Sequence, residues 1–231
     1  KIGLTALAAS LVTTSAFAAE LTATGAASMG VKNNTGTSDT SSGKSFTMGN
    51  SVTLAGSGET DGGLTVSLSF ELDSGVDTGT GTGPFDSHSL TVGSDTLGTL
   101  VMSGHGGSSA QSAMDTTAAG DLYDNGLGMT AIAASATGDN GLFYTLPAMV
   151  DGVAITASLQ PGVAGTETTT AFGLAYTGVE GLTLKYGQGD GGTRALPTDV
   201  TSMSASYAIG SFTLSASNTE ADKTGAANEE V

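Results

Sequence analysis

From Leu64 to Asp73 apolar and polar residues alternate without interruption: Leu64, Val66, Leu68, Phe70 and Leu72 against Thr65, Ser67, Ser69, Glu71 and Asp73. Only an extended strand sorts such a series cleanly, because successive side chains point to opposite faces. One face of this segment is wholly apolar and the other wholly polar. A strand of this kind divides two environments. In a soluble sandwich the apolar face meets a protein core; in an outer-membrane barrel it meets lipid while the polar face lines a watery lumen.

The same period recurs along the chain. Glu20 to Lys32 places Leu21, Ala23, Gly25, Ala27, Met29 and Val31 on one face and Glu20, Thr22, Thr24, Ser28 and Lys32 on the other. Further strands are expected over 44–59, 88–93, 99–103, 142–146, 153–160, 169–177, 182–188, 201–208 and 212–218, about eleven in all. Their connections alternate in length. Tight turns such as Thr60 to Gly63 and Ser94 to Gly98 fall at one end, and longer polar segments such as 33–43, 74–87, 104–141, 161–168 and 189–200 fall at the other. An up-and-down antiparallel outer-membrane barrel has this asymmetry, and a soluble sandwich has no reason for it. Phe46, Phe70, Tyr144, Phe172, Tyr186, Tyr207 and Phe212 lie near expected strand ends, where interfacial aromatic girdles sit. The segment 126–136 is apolar enough for a short helix or an irregular packed stretch.

Charge narrows the function. The chain carries 22 Asp plus Glu against 6 Lys plus Arg, and no basic cluster exists to neutralise phosphates, which excludes nucleic acid as a partner. Absence of cysteine removes disulfide and thiolate chemistry. The compartment is read from the start of the chain: Lys1, an apolar run from Ile2 to Val12 and the small-residue box Ala16, Phe17, Ala18 form a secretory signal, with cleavage expected after Ala18. Residues 1–18 are thus expected to be removed and 19–231 to form the barrel. Removal of Lys1 leaves 22 acidic and 5 basic residues, a net charge of −17.

The signal end at Ala18 and Ala19, the stretch Ala27, Ser28, Met29, Gly30, Val31, the hairpin Thr60, Asp61, Gly62, Gly63, Leu64 and the segment Gly120, Asp121, Leu122, Tyr123, Asp124 together resemble the alphaproteobacterial general porins of the Rhodobacter type. The resemblance runs over nearly the whole mature chain, through short motifs in a shared order and spacing. It implies a sixteen-stranded homotrimeric barrel in the bacterial outer membrane, in contact with lipid and lipopolysaccharide. Small hydrophilic solutes and ions would diffuse through it, past a third outside loop folded into the lumen. That loop corresponds to 104–141 here. With about eleven strands and no initiator Met, the sequence is read as an N-terminal fragment truncated at both ends, an open and incomplete barrel.

On this reading the chemistry is electrostatic and no bond is made. Asp115, Asp121, Asp124 and Asp139 lie in the long loop, which has no Lys or Arg, and are the candidate constriction residues. Lys32, Glu71, Asp73 and Lys185 share the polar parity and are the candidate pore wall. A mild cation preference follows. Family members set basic wall residues against the acidic loop, but Lys32, Lys44, Lys185 and Arg194 are too few to assign to that role. An enzyme is not indicated: the two histidines, His88 and His105, stand without a Gly-x-Ser-x-Gly elbow, and His105-Gly106-Gly107 lacks the strand-turn-helix context of an oxyanion loop. No cofactor is expected beyond adventitious calcium in acidic loops. The competing reading is a secreted, surface-attached β-rich adhesin without a pore.

Overall fold

A computed structural model of the chain describes residues 20–35, 42–73, 85–114, 139–162, 167–193, 196–223 and 229–230. The strands are β1 (Glu20–Thr35), β2 (Ser42–Glu59), β3 (Thr65–Asp73), β4 (Ser87–Ser94), β5 (Gly98–His105), β6 (Gly141–Thr145), β7 (Val153–Gln160), β8 (Thr169–Tyr176), β9 (Leu182–Thr193), β10 (Leu196–Ile209), β11 (Phe212–Lys223) and β12 (Glu229–Glu230). They make one antiparallel sheet in which each strand is bonded to the next in chain order. β1 and β12 stand at opposite ends of that order, so among the described residues the sheet is open. All eleven expected strands are present, and β12 adds a two-residue strand paired to Glu220 and Ala221.

Register turns the period of two into two continuous faces. One cross-strand row joins Leu68, Leu90, Met102, Leu142 and Leu159. The neighbouring row on the other face joins Ser57, Ser67, Thr91, Val101, Phe143 and Ser158. Burial is inverted relative to a water-soluble protein, whose apolar face would be covered. Large apolar side chains stand exposed, from Leu21 at 72% and Met29 at 79% to Phe212 at 81% and Leu214 at 74%. The buried side chains belong to the hydroxyl-bearing face: Thr156, Ser202 and Thr219, with Ala171, Val200 and Ala221 between them. An apolar belt left bare around a polar interior suits hydrocarbon outside and water inside.

The aromatic residues support the same orientation. Tyr144, Tyr176, Tyr207 and Phe212 sit on the bare face close to the short turns, and Phe70 stacks with Phe85 near the opposite end at a centroid distance of 5.3 Å. Each short turn contains a glycine with positive φ, among them Gly98 at 78° and Gly152 at 72°. At Gly98 a Cβ would also lie 2.3 Å from the Thr145 carbonyl oxygen, so both the left-handed backbone and the crowding exclude a side chain there.

Two expectations are corrected. Residues 189–200, read as a loop, are largely strand: β9 runs to Thr193 and β10 begins at Leu196, with Asp190 opposite Asp199 and Gly189 opposite Val200. The glycines there lower strand propensity, which is why the segment reads as a loop; Gly189 falls on the covered face, in register with Ala171 and Val200. Consequently the connections at that end are not uniformly long; β9 and β10 are separated only by residues 194 and 195. The long connection also begins later than expected, since β5 continues through His105 and β6 starts at Gly141. The segment 126–136 lies outside the described residues.

Candidate functional site

The connection from β5 to β6 spans residues 106–140, and its described first part turns back over the hydroxyl-bearing face of β7 to β11. Residues 109–114 form a tight turn. The Ala113 amide donates to the Ser109 carbonyl at 3.0 Å, the Met114 amide to the Gln111 carbonyl at 2.9 Å, and the Ser112 amide to Ser109 Oγ at 3.0 Å. Ser109 therefore caps the turn through its own side chain.

Two hydrogen bonds fix this turn to the sheet. The Ala110 amide donates to Ser158 Oγ at 2.9 Å, and Gln111 Nε2 donates to Ser202 Oγ at 2.7 Å. Ser202 Oγ lies in turn 3.1 Å from Thr219 Oγ1. Ala110 and Gln111 have no exposed surface. A fully buried amide needs such partners, because an unmet donor costs about 1–3 kcal/mol.

The wall beneath is shaped to receive backbone. A Cβ on Gly173 would lie 2.7 Å from the Ala110 carbonyl oxygen, and one on Gly187 would lie 2.9 Å from the Gln111 carbonyl oxygen and 3.0 Å from Gln111 Cα. Gly173 and Gly187 are opposite each other in register. They form a bare patch on which the returning chain lies. Beside it, Ser89, Val101, Ser103, Ser108, Ala113 and Phe143 line a cavity between the returning chain and β4 to β6.

The candidate constriction residues divide. Asp115, Asp121 and Asp124 fall outside the described residues. Asp139 is described and sits at the base of the connection, where Oδ1 accepts the Gly106 amide at 2.9 Å, Oδ2 lies 3.7 Å from His105 Nε2, and the Asp139 carbonyl accepts Gln160 Nε2 at 2.6 Å.

Of the candidate wall residues, Glu71 lies on the hydroxyl-bearing face, opposite Thr53 and Ser87, and accepts a 3.1 Å bond from Ser87 Oγ. Asp73 pairs with Ser51 on that face, and Lys185 pairs with Ser204 and Ala175 there. The Lys32 backbone pairs with Ser45. Among the described residues no three His, Asp or Glu side chains come close enough to hold a metal ion.

Gln111, Ser158, Gly173, Gly187 and Ser202 were missed by reading the sequence for charge. The available signal was glycine at polar-parity positions inside strands, which marks a close backbone approach.

Comparison with known proteins follows from this geometry. The family model described as Gram-negative porin matches residues 3–230. A porin structure refined at 1.8 Å resolution is similar, with 21% identity and a TM-score of 0.60 over 87% of this chain and 68% of that one. An anion-selective porin from Comamonas acidovorans has 17% identity and a TM-score of 0.54, covering 91% and 71%. A double mutant of the porin from Rhodopseudomonas blastica has 13% identity and a TM-score of 0.51, covering 91% and 88%. No curated protein matches the chain.

Proposed function

We propose, from the premise that the chain belongs to the Gram-negative porin family, that it forms a water-filled pore in the outer membrane through which small hydrophilic solutes and ions pass by passive diffusion, with a mild preference for cations. The family and the fold make it a channel rather than an enzyme. The observation that carries the reading is the return of Gly106 to Met114 onto the hydroxyl-bearing face, where Gln111 is buried against Ser202. A loop lying inside narrows whatever cross-section the barrel encloses. A surface protein without a pore gives no reason to leave the apolar face bare and place a loop on the polar one.

Selectivity follows from the sign of the fixed charge. Lys32 and Lys185 share the polar parity with Glu71 and Asp73, and the acidic excess comes from Asp115, Asp121 and Asp124 of the connection, which has no Lys or Arg. Negative fixed charge concentrates cations in a narrow aqueous passage. The similar porin from Comamonas acidovorans is anion-selective; here the acidic balance favours the opposite sign. A homotrimer embedded in lipid and lipopolysaccharide completes the proposal.

Neutralising Asp121 and Asp124 together, as Asp121→Asn with Asp124→Asn, is expected to move the reversal potential in a KCl gradient toward zero without abolishing conductance. An unchanged reversal potential would remove both residues from the constriction.

A further inference from the structure

Phe143 stands apart from the other rings of the sheet. Tyr144, Phe172, Tyr186, Tyr207 and Phe212 belong to the bare face, but register sets Phe143 on the hydroxyl-bearing face, between Val101 of β5 and Ser158 of β7. Among the described strand residues it is the one phenyl or phenol ring on that side. Phe143 and Val101 are each half-buried, so together they make an apolar step on a local wall of hydroxyls and small residues. Water wets such a step poorly, and an apolar surface that covers it gains about 25 cal/mol per Å².

Hydroxyls stand beside the step. The next row on the same face pairs Ser89 with Ser103 and ends at Gly141, which has no side chain. Among the described residues neither serine hydroxyl is engaged by another protein group, so each can both donate and accept. The returning chain borders the space above: Ser108 and Ala113 join Ser89, Val101, Ser103 and Phe143 around a cavity of about 350 Å³. That volume is near the lower end of ligand pockets, which run from about 300 to 1,000 Å³. Among the described residues no Asp, Glu, Lys or Arg lines it, and the carboxylates of Glu71 and Asp139 are taken by Ser87 and by the Gly106 amide.

We infer that this cavity is a binding subsite for a neutral sugar ring. A pyranose has a face of C–H groups and an edge of hydroxyls. Phe143 with Val101 meets the first, and Ser89 with Ser103 meets the second. An ion finds no lining charge to hold it there. The inference rests on the pore reading, since the solute reaches this wall through the lumen. It names a solute class that the acidic balance of the passage does not attract: the sugar is held by contact instead of by charge.

The probe is methyl α-D-glucopyranoside, added to the full-length protein in a detergent without a sugar head group and followed by saturation-transfer NMR. Glycerol serves as the polyol that has no ring face. The glucoside signal is expected to saturate with a Kd of the order of 1–10 mM, as suits a half-open site in competition with water, and the glycerol signal to rise without saturating. Phe143→Ala is expected to weaken binding about two- to tenfold and Ser103→Ala about fivefold, the scale of one aromatic contact and one hydrogen bond, while Phe143→Tyr retains it. Heat-modifiable migration on a detergent gel checks the fold of each variant, and if Phe143→Ala does not fold, Ser89→Ala with Ser103→Ala carries the test. A glucoside signal that does not saturate by about 100 mM overturns the subsite. So does equal saturation by glycerol, or undiminished binding in folded Phe143→Ala or in the double serine variant. Binding is read without conductance. A protein that conducts but holds no sugar therefore loses this inference alone, and a silent protein that holds sugar loses only the pore reading.

Discussion

Leu68→Arg is expected to cost about 2–4 kcal/mol of folding stability in lipid, the penalty for a basic side chain at depth on the hydrocarbon face of a membrane barrel. Ser67→Arg, one residue away, is expected to cost less than about 0.5 kcal/mol, as a solvated substitution does. The contrast rests on register. Leu68 lies opposite Gly56 and Leu90 and is 44% exposed on the bare face, whereas Ser67 lies opposite Ser57 and Thr91 on the hydroxyl-bearing face. In a soluble protein the order of the two costs would not require a bilayer. Denaturant titration of both variants in lipid vesicles measures it, and Ser67→Arg should also shift the reversal potential toward anions. Equal costs would mean that the two faces of β3 do not meet different solvents.

Gly187→Leu is expected to lift the inturned turn off the wall. A Cβ at that position already lies 2.9 Å from Met114 Cβ and from the Gln111 carbonyl oxygen, so the rest of a leucine side chain has no room. Overpacking costs about 1–3 kcal/mol, which changes the docked population up to about a hundredfold. Single-channel conductance should then rise and its noise increase. Gln111→Ala should act in the same direction but more weakly, because Ser202 keeps Thr219 as a partner and the loss is one hydrogen bond, about 1 kcal/mol. A Gly187→Leu protein that folds and conducts unchanged would show that the turn does not narrow the passage.

These predictions draw on parts of the molecule that were unequally legible in the sequence. The strand of period two at β3 was plain because each of its side chains must serve one of two solvents. Long runs of the same kind made β7 and β11 legible to within a few residues. Periodicity alone, however, assigns faces without saying which one is wet. That distinction comes from the tertiary arrangement, where Gln111 and Ala110 cover Ser202 and Gly173.

The outer half of β9 was hidden by Gly189, Gly191 and Gly192, and with it the start of its partner β10 at Leu196. Glycine lowers local strand propensity, and the packing value of Gly187 appears only once the returning turn at Gln111 and Met114 lies on it. Asp139 lies at the root of the connection and is bonded to Gly106 across 33 positions of sequence, a partner that its charge alone does not name. A sequence shows that a carboxylate is present in a loop but not which backbone amide it meets. Asp115, Asp121 and Asp124 remain assigned by composition and resemblance.

The most direct measurement is the conductance of the full-length protein, folded in detergent and added to a planar lipid bilayer under a KCl gradient. The account predicts discrete current steps with a reversal potential on the cation side. Silence from a protein that is folded and β-rich, or steps with an anion-side reversal potential, would contradict it: the first denies an open lumen, the second denies that acidic side chains control it.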